Sequence, residues 1–264
     1  MATNLLPTAS IATKGARSEP EVSQKSIGHA SPYDAIARLY DLWSRSVTED
    51  VPFYVEEAVR SEGPVVELGV GTGRIAVPIA KSGIRVIGVD SSEEMLAVCR
   101  EAAAGADVSE LIDLRLGNLL EPPVPERVPL VLCPFRSFLH LQTDGERRNA
   151  FRAAHSLLVP SGRFVFDVFA PSQESIAATD GRWIEYEPGV FERADWDTGT
   201  RTLTLSVRGE TGETSMRLAW RAPQEWRRLL EESGFELEAM YGWFDRSAYR
   251  GGEDTVWVTR PRTR

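Results

Sequence analysis

The stretch VVELGVGTGRIAVPIA, from Val65 to Ala80, constrains the fold more than any other part of the chain. An apolar run, three glycines at alternate positions and a second apolar run at helical spacing read as a β-strand, a tight turn and the start of a helix. Gly69, Gly71 and Gly73 carry no Cβ, so the backbone there can turn sharply and come close to a ligand. The next predicted strand, RVIGVD, ends on an acid, Asp90. A strand, a glycine turn, a helix and an acid closing the following strand make a nucleoside-binding unit in which the acid accepts both ribose hydroxyls.

Spacing then separates the cofactors. Dinucleotide folds use G-x-G-x-x-G and face a pyrophosphate with the helix N-terminus. Here the glycines fall as G-x-G-x-G behind Glu67, and no pyrophosphate reader is apparent. This E-x-G-x-G-x-G pattern, with VIGVD ending at Asp90, resembles motif I and the acidic second-strand end of class I S-adenosylmethionine (SAM) methyltransferases. The resemblance covers most of the chain from about Tyr33 onward. It implies SAM as the cofactor and a doubly wound, Rossmann-like α/β sheet completed by an antiparallel hairpin.

The remaining elements suit that fold. The chain alternates helix and strand as a doubly wound sheet requires. LIDLRLGN, ending at Asn118, VPLVLC and GRFVFDVF are strands three to five, with a helix from Thr143 to Leu158 between the last two. Ser91 and Glu94 have the spacing of a capping box for the helix after Asp90. Strands at Glu236–Trp243 and Thr255–Thr259 form the closing hairpin, after a helix that Pro223 opens. Between strand five and that helix, WIEYE, VFERADW, RTLTLSV and SMRLAW alternate like antiparallel strands, so residues 181–221 are read as an inserted lid. Residues 1–28, rich in Ser, Thr, Ala and Lys, are read as a flexible tail, and residues 29–264 as one domain. In SPYDAIARLYDLW, Ile36, Leu39, Tyr40 and Trp43 recur at helical spacing, which leaves Asp34, Arg38 and Asp41 in water on a covering helix.

Composition limits the partners. A formal net charge of −9 argues against a nucleic acid, because the arginines are too dispersed to build a basic face. No apolar run reaches transmembrane length and no secretion segment opens the chain. Cys99 and Cys133 show neither metal-ligand spacing nor a disulfide framework, so a reducing cytoplasm fits and no metal is expected. The expected partner is a small-molecule acceptor, and a homodimer is left open.

The resemblance also assigns tasks. Glu67, Gly69, Gly71 and Gly73 would surround the methionyl part of SAM, Asp90 and Ser91 the ribose, and Met95, Asn118 and Leu119 the adenine. Cys133 and Pro134 would close the cofactor site after strand four. CPFRSFLHL looks like the C-x-F-x-S-x-x-H-L segment of small-molecule methyltransferases, among them N-methyltransferases of amino sugars. His140 would then accept a proton or orient the acceptor, with Phe135, Arg136 and Phe138 beside the substrate. Tyr33 matches the first tyrosine of a Y-D-x-x-A-x-x-Y-D pattern that lies near both cofactor and substrate. Trp183 and Tyr186 of the lid would wall the pocket. A hydroxyl acceptor predicts an acidic limb near the ordinary histidine value of about 6.5. The competing readings are a noncatalytic SAM-binding protein and a dinucleotide-dependent oxidoreductase.

Overall fold

A computed structural model describes residues 31–262; the tail predicted over 1–28 falls outside them. The chain opens with a short 3-10 turn, Asp34–Ile36, running into α1 (Ala37–Trp43), and then α2 (Asp50–Ser61). There follow β1 (Val65–Leu68), α3 (Ala76–Lys81), β2 (Val86–Asp90), α4 (Glu93–Gly105), β3 (Ile112–Leu116) and β4 (Val128–Cys133). After a 3-10 turn at Ser137–His140 come α5 (Asp144–Ser156), β5 (Leu158–Phe169) and α6 (Gln173–Thr179). Four strands follow, β6 (Trp183–Glu187), β7 (Val190–Asp197), β8 (Thr202–Gly209) and β9 (Gly212–Ala219). The described chain closes with α7 (Pro223–Glu232), β10 (Phe235–Tyr241) and β11 (Asp254–Pro261).

The main sheet has seven strands in the order β10-β11-β5-β4-β1-β2-β3. Strands β3, β2, β1, β4 and β5 pair in parallel, whereas β11 enters antiparallel against both β5 and β10. Order reverses between β1 and β4, where a parallel sheet opens a crevice at its C-terminal edge. All four residues of β1 are buried, as in a strand covered on both faces, and Glu67 is the one polar residue among them. Alternate side chains divide between two cores: Val66, Leu68 and Val131 join Phe138, Phe151 and Trp226, while Val65, Leu130 and Val165 pack against Phe53 and Tyr54 of α2.

Strands β6 to β9 form a separate antiparallel sheet in sequential order. It docks where the main sheet opens. The Gln142 amide donates to the carbonyls of His140 and Arg217, both at 2.9 Å, tying β9 to the segment after β4. The buried Arg147 of α5 reinforces this junction, donating to the Leu141 carbonyl at 2.5 Å and the Ala219 carbonyl at 3.1 Å.

Two local expectations change. The helix after Asp90 is capped by Ser92, whose hydroxyl accepts from Met95 N–H at 3.1 Å, because Asp90 takes Ser92 N–H and draws the chain one residue further before it coils. Ser91 is exposed there. Strand three stops at Leu116, since Asn118 folds its side chain into the following turn and accepts from Leu120 N–H and Glu121 N–H at 2.8 and 3.0 Å.

Candidate active site

The glycine turn between β1 and α3 holds three left-handed residues, with φ of +76° at Gly69, +54° at Gly71 and +87° at Gly73. A Cβ at Gly73 would stand 2.6 Å from Cys99 Sγ of α4, so this glycine lets helix and turn pack rather than admitting a ligand. One at Gly69 would meet Ser137 Oγ at 2.8 Å, whereas one at Gly71 would meet nothing within 4 Å. Only Gly71 faces open space. Its N–H donates to Asp90 Oδ2 at 2.8 Å, and Ser92 N–H donates to Oδ1 at 2.9 Å, which fixes the carboxylate at the lip of the turn.

Glu67 lies below that lip, 1 % exposed, and its Oε2 has no hydrogen-bond partner. Burial pushes its carboxyl well above the usual range, against the pull of Arg74. A buried acceptor without a donor is costly unless a ligand satisfies it. An unpartnered acid, an open Gly71 and a fixed Asp90 suit a ligand with an ammonium group at one end and a ribose diol further along. SAM has both.

The segment around α1 covers this turn. Ser92 donates its hydroxyl to Asp34 at 2.5 Å, and Thr72 donates to Asp41 at 2.6 Å. Asp41 stays exposed as expected and Asp34 is half-buried, and both are pegs that hold the cover down. Arg38 is exposed, as its position on the outer face requires, and pairs with Glu101 of α4. Arg74, directly after Gly73, binds Asp50 with two nitrogens at 2.8 and 2.6 Å and lies over the Phe135 ring at 4.5 Å.

Beyond β4 the chain makes a tight bend in which Phe135 and Arg136 both take left-handed conformations, φ +54° and +63°. Asp167, near the end of β5, holds it. Its carboxylate accepts from Phe135 N–H at 2.8 Å, Arg136 N–H at 3.0 Å and the Tyr54 hydroxyl at 2.5 Å. Burial raises its carboxyl to about 6 despite those bonds. The bend delivers His140 to Tyr33, whose hydroxyl stands 2.9 Å from His140 Nε2 with the rings edge to face. Loss of solvent lowers the half-buried imidazole to about 4 and raises the Tyr33 phenol well above 10. Both are neutral at physiological pH.

Other expected residues are distributed unevenly. Tyr33, Phe135 and His140 converge, joined by Tyr40, which meets Tyr33 and Phe135 edge to face at 5.9 and 6.2 Å, whereas the Arg136 side chain turns to Asp254 and the Phe169 ring. Phe138 does not reach a substrate: the 3-10 turn points it inward, fully buried and stacked on Phe151 at 4.7 Å. Trp183 also lies elsewhere, in register with Arg193 and under the exposed Arg208 at 4.0 Å, because strand alternation turns it away from the face that carries Trp196. Tyr186 remains on the core side, packed against the main cluster. Cys133 is buried at the end of β4 with its thiol pushed up by burial, and Pro134 offers its carbonyl to the Ser137 hydroxyl at 2.8 Å. Met95 is buried on the first turn of α4, and Leu119 is half-buried against the core. A surface hollow of about 520 Å³ between Leu120 and Arg152 has no contact with these groups. Asp167, Arg74 and Asp50 had no motif to mark them.

Comparison with known proteins supplies the family. Residues 65–162 match the model of a methyltransferase domain. An uncharacterized methyltransferase of Bacillus cytotoxicus is 30% identical over 152 residues, which is 57% of this chain and 68% of that protein. The chain belongs to the SAM-dependent methyltransferases. It is similar throughout to the CcbJ methyltransferase of Streptomyces caelestis, with 29% identity, a TM-score of 0.79, and coverage of 89% of this chain and 99% of that one. The glycopeptide N-methyltransferase MtfA, solved with SAM, shares the fold at 21% identity and a TM-score of 0.57, covering 84% and 97% of the two chains. The order of this methyltransferase's main sheet, with its antiparallel seventh strand, excludes the all-parallel dinucleotide arrangement that the glycine spacing had disfavoured. Among the described residues no helix is long and apolar enough to cross a membrane.

Proposed function

We propose that this methyltransferase transfers its methyl group to an amine nitrogen or a hydroxyl oxygen of a small molecule, in the crevice shared by the bend after β4, the α1 segment and the second sheet. The observation that carries the reading is the neutral Tyr33–His140 pair, 2.9 Å apart and walled by aromatic rings. Bound SAM supplies an electrophilic methyl on a sulfonium, so transfer is a displacement that needs the nucleophile in line and water kept out.

Each group of the chain has a task in that displacement. Glu67 and the open side of Gly71 receive the methionyl end, and Asp90 holds the ribose diol. The Asn118 oxygen is committed to two backbone N–H groups, so its amide NH₂ is the part left to meet the adenine. His140 either takes the proton of a hydroxyl acceptor or orients an amine through the hydrogen-bond chain with Tyr33. The second sheet acts as the lid, with Tyr186 and Trp196 on its inner side. Small-molecule chemistry suits this aromatic crevice better than a polymer, and the similarity to the glycopeptide N-methyltransferase MtfA points to an amine nitrogen.

The test is transfer of a labelled methyl from SAM to a panel of small amines and alcohols, with tRNA and a peptide pool as controls. Labelling of a small molecule alone is expected. Labelling confined to the polymers would overturn the reading, and SAM binding without transfer to any of them would make the protein a SAM-binding regulator.

A further inference from the structure

The inner face of the second sheet is apolar except at Thr214, whose hydroxyl donates to the Pro32 carbonyl, and at Glu192. Alternation along β7 sends Val190, Glu192, Ala194 and Trp196 to the same side. Across the register Glu192 stands opposite Val207, Ala194 opposite Leu205 and Trp196 opposite Leu203. Val190, Ala194, Leu203, Leu205 and Val207 are all buried. Glu192 among them is half-buried and receives one hydrogen bond, from Trp43 Nε1–H at 3.0 Å. Among the described residues no basic nitrogen lies within the 4.0 Å of an ion pair.

Arg136 faces Glu192 but does not neutralise it. Its guanidinium bonds Asp254 at 2.7 Å, lies over the Phe169 ring at 4.8 Å and is also drawn on by Asp167. Tyr186 faces the same guanidinium. The Trp43 indole meets the acid through its N–H edge, and an aromatic chain runs on from it: Trp43 meets Tyr40 at 5.6 Å, and Tyr40 leads to Tyr33 and His140. A carboxylate taken partly out of water and left without a cation costs stability that an apolar residue at the same place would not. A carboxylate without a cation at the edge of an aromatic cluster can hold a substituted ammonium, chiefly through charge, with neighbouring rings adding their quadrupoles.

Resting on the small-molecule reading above, we infer that Glu192 selects the acceptor by charge: the acceptor carries a basic amine, bound as its ammonium ion at the Glu192 carboxylate beside the aromatic cluster that Trp43 and Tyr40 begin. This is recognition of charge, separate from the chemistry at His140. Burial raises the Glu192 carboxyl, so a bound cation will draw it back toward full ionisation.

Choline and its neutral isostere 3,3-dimethylbutan-1-ol are the probes, titrated calorimetrically or by NMR into enzyme saturated with S-adenosylhomocysteine. The cation is expected to bind at least about tenfold more tightly, the equivalent of one partly desolvated cation–π and charge contact. Glu192→Gln keeps an acceptor for Trp43 and should erase that preference, with melting temperature and SAM affinity unchanged, while Glu192→Asp should retain part of it. Equal affinity for the two probes in the wild type, or a preference that survives in Glu192→Gln, overturns the inference. If the labelled panel shows neutral alcohols methylated as readily as amines, this inference fails while the small-molecule reading stands.

Discussion

Two titratable side chains bracket the bend after β4, and burial moves them in opposite directions. His140 falls to about 4, so it is neutral and able to accept a proton through the whole range in which transfer will be measured. The limb expected near 6.5 from an ordinary histidine should therefore be absent from the rate–pH profile. Asp167 rises to about 6, and its ionised form is the one that accepts three donors. As pH falls through about 6 the carboxylate gains a proton, its hold on Phe135 N–H and Arg136 N–H weakens, and the transfer rate should fall with it. The signs for stability are opposite. Below its unfolded value a depressed histidine loses stability as pH drops toward about 4, whereas a raised aspartate gains it as pH drops through about 6. These two contributions oppose each other, so loss of rate should precede loss of fold. Rate–pH profiles at saturating substrates decide the assignment: Asp167→Asn should abolish the limb near 6, and His140→Ala should keep it. On a hydroxyl acceptor His140→Ala should also lower the plateau by roughly 100-fold or more, with SAM affinity intact. A limb that disappears in His140→Ala and persists in Asp167→Asn would reverse the roles.

At the scale of elements, the turn after β1 and the junction at α5 each make a separable prediction. Asp90→Ala removes a carboxylate whose charged hydrogen bonds to the ribose are worth roughly 1.5–3 kcal/mol each, and calorimetry should show a loss of SAM affinity of at least tenfold in a folded protein. Gly71→Val should likewise weaken SAM binding, because its side chain enters the open space and strains a φ of +54°. Gly73→Ala should instead lower the melting temperature, since its Cβ meets Cys99. An unchanged SAM dissociation constant in Asp90→Ala would remove the ribose assignment. Arg147→Ala should cost about 2–3 kcal/mol in denaturant unfolding, the loss of charged hydrogen bonds to Asp144 and to two carbonyls that join α5 to the segment after β4 and to β9.

The parts of this architecture that were legible in the sequence are those set by local pattern. VVEL and VPLVLC read as strands, WIEYE to SMRLAW alternate, and the helix read from Thr143 to Leu158 is α5, with Thr143 as its N-cap. The helix QESIAAT was missed because seven residues with two small apolar side chains give no helical period. In the site, Gly71 and Asp90 carry a motif and His140 carries a segment match. Asp167 does not, since it matters only where Tyr54, 113 positions away, and the backbone of Phe135 and Arg136 meet it. Phe138 and Trp183 were misplaced for a related reason: spacing puts them near His140 and in the second sheet, but a 3-10 turn and strand parity decide which way they face.

At the scale of the molecule, the α1 segment is the keystone between cofactor and acceptor. It is pegged to the glycine turn through Asp41 and to the α4 cap through Asp34, reaches β9 where Thr214 donates to the Pro32 carbonyl at 2.6 Å, and touches β7 through Trp43. Tyr33 and Tyr40 thus stand between the turn and the second sheet, so that under the proposed function cofactor binding and closure over the acceptor would share one element. The most direct test of the account is methyl transfer from labelled SAM to its small-molecule acceptor, measured side by side for the wild type and His140→Ala together with their SAM affinities. The account predicts transfer by the wild type and a reduced rate in the variant at the same SAM dissociation constant. A variant that transfers at the wild-type rate would contradict it and leave the Tyr33–His140 pair as packing.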